Sequence, residues 1–196
     1  MEHLFFLGSP AALLLYLDGS KLIARRRPGI DDDVSSDEIG YNGCLAARYI
    51  YNVRSTTNQI YSATDPISLR LSATVDPGYA RLMSPVTLLR NPLEMQVALE
   101  QPRLSIKHWL EKHVREEEEN NSKGTLPKVP RKEAVEHSER KFKALNPYGT
   151  LDFSLETNRV NQFTQYLDML QAHMCYWTSV PMANFLLKQL VPRENE

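Results

Sequence analysis

Apolar positions along the chain fall into two kinds of run, and each kind predicts a different element. Residues 4–7, LFFL, are continuously apolar, the pattern of a strand covered on both faces. Gly8-Ser9-Pro10 follows as a turn, with Ser9 placed to cap a helix and Pro10 at its first position. That helix is predicted over residues 10–17 and stops at Asp18-Gly19. Residues 59–64, QIYSAT, read as a second strand by their β-branched and aromatic content. Residues 150–156, TLDFSLE, alternate apolar and polar side chains and predict a third. Phe163, Tyr166, Leu167 and Leu170 recur at helical spacing, and Ser179 can cap a last helix with Met182, Phe185, Leu186 and Leu190 inward. Residues 44–53 and 104–113 also read as helical.

The stretches between these elements are of three sorts. Residues 25–40 hold Arg25–Arg27 and then Asp31–Asp33, adjacent opposite charges that predict a solvated loop. Residues 67–89 are punctuated by Pro77 and Pro85 and predict a loop-rich connection with one short helix or strand. Residues 115–143 carry mixed charge and few apolar side chains, and residues 111–145 are expected to form a flexible charged insertion within a single domain over 1–196. Strands interleaved with helices predict an α/β class with a mostly parallel sheet and flanking helices. Three strands are few for such a sheet, which is expected to be incomplete and to leave the edge at residues 4–7 open to association with other chains.

Charge and cysteine content narrow the function classes. A formal net charge of -1 argues against a partner held through a phosphate backbone, so no nucleic acid is expected. Cys44 and Cys175 show no CxxC spacing and give no zinc site or disulfide scaffold. The N-terminal apolar residues lack a basic leader region and are broken at Gly8-Ser9-Pro10, and the run at 11–17 is too short to span a bilayer. A cytoplasmic chain touching membranes at their surface is the expectation. His108 and His113, five residues apart, lack the spacing of a helical zinc pair.

Candidate chemistry lies where an acid and a histidine follow strands. Asp65 closes YSATDP after the 59–64 strand, and His173 follows the 150–156 strand. This is the order of acid and base in α/β hydrolases, where histidine takes a proton from a serine and the carboxylate orients the imidazole. Each residue also has a plainer reading: Asp65-Pro66 as a turn, His173 as a packed helix-end histidine, Asp152 as the polar face of an alternating strand. The serine should stand in a G-x-S-x-G elbow, and the sequence contains none. Ser9 and Ser20 lack the flanking glycines.

Five blocks, FFLGSP at 5–10, IYSATDPISLRL at 60–71, DPGYARLMSPV at 76–86, LDFSL at 151–155 and AHMCYW at 172–177, together resemble one known module. It is the DDHD domain of intracellular phospholipases that prefer phosphatidic acid, also found in membrane-associated phosphatidylinositol transfer proteins. The resemblance implies a partial α/β-hydrolase-like fold corresponding to the C-terminal part of such a lipase. Asp65 and His173 would be its catalytic acid and base. The implied partner is phosphatidic acid or a phosphoinositide at a membrane surface, with a missing N-terminal part or a second copy completing the chain. Asp65, Asp152 and His173 fall on the first three positions of the set that names the family, a set proposed to bind a divalent metal. Where the family carries a glutamate and a final aspartate, this chain reads Thr178 and Pro181. The missing nucleophile implies that the chain alone is inactive, leaving a non-catalytic lipid- or protein-interaction module as the competing reading.

Overall fold

Residues 49–53, Tyr-Ile-Tyr-Asn-Val, hold the β-branched and aromatic side chains that favour a pleated, doubly covered backbone, and they form the centre of the sheet. The computed structural model describes residues 1–38, 43–55, 70–100, 132–155 and 174–191. Within these, β1 (His3–Leu7) and β4 (Tyr49–Ser55) pair in parallel, β4 pairs with β6 (Asp152–Leu155), and β6 with β5 (Val86–Leu88). The order β1-β4-β6-β5 makes a four-stranded, all-parallel sheet, with β1 at one end of the described strands. A second, two-stranded parallel ribbon joins β2 (Ala24–Arg25) to β3 (Ser35–Ser36).

Strand alternation sorts side chains between two cores. On β1, Leu4 and Phe6 pack into one cluster, Phe5 and Leu7 into the other. Ile50 of β4 joins the first cluster, with Leu71, Tyr79, Phe142 and Leu145; Tyr51 and Val53 join the second, with Phe153, Leu155 and Phe185. The first face is covered by α1 (Ala11–Leu17), α2 (Ser72–Val75), α3 (Pro77–Ala80) and α5 (Lys132–Leu145). The second lies under α4 (92–100), α6 (174–178) and α7 (Val180–Leu190). The α/β class with a mostly parallel sheet and flanking helices is therefore the observed architecture.

Several predicted elements are found and two are corrected. β1, α1 and β6 stand where their patterns placed them, and Ser179 caps α7 by accepting from the Met182 N–H at 3.3 Å. The Ser9 hydroxyl accepts from the Ala11 N–H at 3.2 Å, one residue earlier than a standard cap. The helix expected at 44–53 is instead the strand β4, because a run covered on both faces loses the alternation that would distinguish it. The expected flexible insertion ends in a packed helix: α5 buries Val135, Ser138, Phe142 and Leu145 along one stripe. That stripe docks the helix, and ion pairs flank it at the surface, Arg140 with Asp31 and Asp33 at 2.8 Å and Lys141 with Asp76 at 3.7 Å. The strand expected at 59–64 and the helix expected at 104–113 lie outside the described residues.

Candidate functional site

Asp152 opens β6 directly opposite Asn52 of β4 in the parallel register, and both side chains are buried. Its Oδ1 accepts from Asn52 Nδ2 at 2.8 Å and from the Leu71 N–H at 2.9 Å; its Oδ2 accepts from the Ser72 N–H at 3.2 Å. Leu71 is the N-cap of α2, so the carboxyl satisfies the first free N–H groups of that helix from across the sheet. The alternating strand pattern placed Asp152 on a polar face. In the fold that face turns inward, against the start of α2.

A second junction forms at the carboxyl ends of β1 and β4. The Ser55 N–H, last of β4, donates to the phenol of Tyr176 at 2.8 Å, and Tyr176 is buried. The ring lies against Gly8, whose N–H extends the β1–β4 pairing by donating to the Val53 carbonyl at 2.9 Å. Gly8 has φ +56, and a Cβ there would stand 3.0 Å from the Tyr176 hydroxyl oxygen. Glycine is required twice over, for its left-handed backbone and for the space the ring takes. The Cys175 thiol hydrogen-bonds the Ser55 side chain, and burial pushes both this thiol and the Tyr176 phenol up from their ordinary values.

The two junctions bracket the candidate catalytic residues. Asp65 lies in the sequence between Ser55 and Leu71, and His173 between Leu155 and Tyr176; both fall outside the described residues. Ser55 and Tyr176 bond to each other, and Leu71 and Ser72 bond to Asp152 at the start of β6. Three of the four described flanks, Ser55, Leu71 and Tyr176, are thus tied to the sheet; the Ser55–Tyr176 junction lies at the carboxyl end of β4, the side on which parallel α/β folds keep their ligand-handling residues, and Asp152 stands at the amino end of β6. Asn52, Tyr176 and Gly8 were missed as site-supporting residues by sequence reasoning. Asn52 carried a signal, a lone amide within an otherwise apolar run.

A divalent cation is implied for Asp65, Asp152 and His173 by the family set. Three N–H donors occupy the Asp152 carboxyl, leaving about one of its roughly four acceptor positions. A bidentate hold on a hard cation would have to break these bonds, and about one position on Oδ2 remains open. As placed, Asp152 is a backbone clamp. Among the described residues no group of three or more His, Cys, Asp or Glu side chains converges.

The DDHD-domain family model matches residues 1–94 and 93–191, nearly the whole chain, and the chain belongs to this family. It is 26% identical over 196 residues to the "Probable phospholipase YOR022C, mitochondrial" of Saccharomyces cerevisiae. That match covers 98% of this chain and 25% of the relative, so the chain spans about a quarter of the relative's length. No solved structure matches it. Among the described residues no helix is long and apolar enough to cross a membrane.

Proposed function

We propose that this chain carries the acid and base of a serine-hydrolase site, Asp65 and His173, in a phospholipase of the DDHD family. The reaction is hydrolysis of a carboxylic ester of phosphatidic acid or a related phospholipid at a membrane surface. A serine hydroxyl outside this sequence attacks the acyl carbonyl and His173 takes its proton. Asp65 holds the imidazole and stabilises its charged form. His173 then returns the proton to the leaving alcohol, and water repeats the sequence on the acyl-enzyme. The observation that carries the reading is the pair of junctions, because Ser55–Tyr176 and Asp152–Leu71/Ser72 tie down the described flanks of both residues at the sheet. Family membership and likeness to a probable phospholipase support the substrate class. Asp152 is given a structural role, and no step runs through a metal.

A second reading, a lipid-binding module without catalysis, is favoured by Thr178 and Pro181 standing where the family carries carboxylates and by the absent G-x-S-x-G. One assay separates the two. The protein at its native length is incubated with phosphatidic acid in mixed micelles, beside His173→Ala and Asp65→Asn. The hydrolase reading expects fatty-acid release that falls at least about a thousandfold in His173→Ala. Release that survives His173→Ala, or none from the unmodified protein together with vesicle binding above a neutral control, overturns it.

A further inference from the structure

We propose that the outer face of α6 and α7 is the surface by which this protein docks on a bilayer, an inference that rests on the phospholipid substrate class proposed above. α7 is apolar on both sides. Met182, Phe185 and Leu186 turn inward and pack into the aromatic cluster of the sheet. Met174, Trp177, Val180, Ala183, Leu187 and Leu190 recur every three or four residues and are all exposed, Trp177 at 76% and Leu187 at 59%. A helix apolar all round is ordinarily covered all round, so the outer stripe calls for a partner of its own. Among the described residues, six of the twelve large exposed apolar side chains fall within 174–191, a concentration unlike the single scattered residues of an ordinary surface.

The chemistry of the stripe favours hydrocarbon as that partner. Apart from the Trp177 indole it offers no strong hydrogen-bonding side chain, whereas a protein interface carries about one hydrogen bond per 100–200 Å². Residues 174–191 hold no Asp or Glu and one charged side chain, Lys188, in a chain with 24 acidic residues. No carboxylate in that stretch repels an anionic headgroup. An exposed tryptophan is also the side chain that settles best at the level of the headgroups. The Tyr176 phenol, accepting from the Ser55 N–H at 2.8 Å, holds α6 at the carboxyl end of β4, the side on which parallel α/β folds handle ligands. A bilayer held by this face lies beside that end of the sheet.

The test uses protein at its native length and vesicles of phosphatidylcholine with and without phosphatidic acid. Leu187→Ser combined with Leu190→Ser should weaken co-sedimentation with both kinds of vesicle at least about tenfold. Leu14→Ser combined with Leu17→Ser, at comparably exposed positions on the α1 side of the sheet, should leave it in place. Lipids brominated in their acyl chains should quench tryptophan fluorescence, and Trp177→Phe should remove part of that quenching. Neither paired variant should lower the unfolding midpoint, because these side chains already stand in water. The proposal is overturned if the unmodified protein binds no vesicles, if the Leu187/Leu190 variant binds as well as it does, or if Trp177→Phe leaves the quenching unchanged. A lower unfolding midpoint or a smaller assembly without vesicles in the Leu187/Leu190 variant assigns the stripe to another part of the protein or to a second copy, and overturns it too. Short-chain phosphatidic acid dispersed as monomers tests the hydrolase reading separately. Its hydrolysis should survive the Leu187/Leu190 change and be lost in His173→Ala. Hydrolysis that persists in His173→Ala sinks the hydrolase reading, while vesicle binding still decides the docking face.

Discussion

On the face of the sheet that carries α2, α3 and α5, aspartates reach backbone N–H groups across the packing. Asp152 holds the start of α2, and Asp76 caps α3 through the Tyr79 N–H at 3.0 Å while its other oxygen takes the Ser138 hydroxyl of α5 at 2.7 Å. On the opposite face, aromatic rings meet. Phe5 stacks on Tyr51 at 4.6 Å between centroids, Phe153 meets Phe185 at 4.9 Å, and Phe185 stands edge-on to Tyr51 at 5.6 Å. The aromatic face is held by burial, which is tolerant of direction. The carboxyl face is held by burial too, and adds directed bonds that fix where short helices begin. Short helices have little stability of their own, so those bonds decide their position. Beyond Asp65 the described chain resumes at Arg70, and Leu71 and Ser72 meet the sheet on the carboxyl face.

This contrast can be broken from either side. Phe153→Ala, deep in the aromatic face, should cost about 3–5 kcal/mol through lost burial and a cavity, read by denaturant unfolding. Asp152→Ala should cost about 3 kcal/mol, because three buried donors lose their acceptor at once. Their signatures should differ. The phenylalanine variant should weaken the whole sheet, whereas the aspartate variant should first raise hydrogen exchange at Leu71 and Ser72. Equal exchange at those amides in both variants would show that the clamp has no local role.

Asp76→Ala should cost about 1–2 kcal/mol, the range of a lost helix cap. Burial pushes the Asp76 carboxyl up, and the Tyr79 N–H, the Ser138 hydroxyl and the Lys141 ammonium more than offset this, leaving it below its ordinary value. Its folded value lies below its unfolded value. Its contribution is therefore complete above the unfolded carboxylate range and is lost as pH falls through the folded value. A pH series of unfolding midpoints should show an acid limb that Asp76→Asn flattens. Tyr51→Phe should cost about 1 kcal/mol by removing the hydroxyl that bonds Gln189 at 3.1 Å and His3 at 3.2 Å while keeping the ring. Arg140→Ala should have the smallest effect. Its ion pairs with Asp31 and Asp33 lie at the surface, and any change in melting temperature should disappear in high salt.

What could be read from sequence depended on how local its cause was. Ser179 before Val180-Pro181 is a cap whose partner is three residues away, and it was legible. TLDFSLE showed a strand because alternation is a property of the strand itself. β4 was hidden because burial on both faces removed its alternation, and α5 because its docking draws on Asp31, Asp33 and Asp76, far away in the chain. The sequence by itself determined the α/β class and the ends of several elements. Only the tertiary structure decided that Asp152 clamps α2 and that Tyr176 joins β4 to the chain beyond His173. Both depend on contacts over about a hundred residues, Asn52 with Asp152 and Ser55 with Tyr176, and no local propensity encodes a partner at that distance.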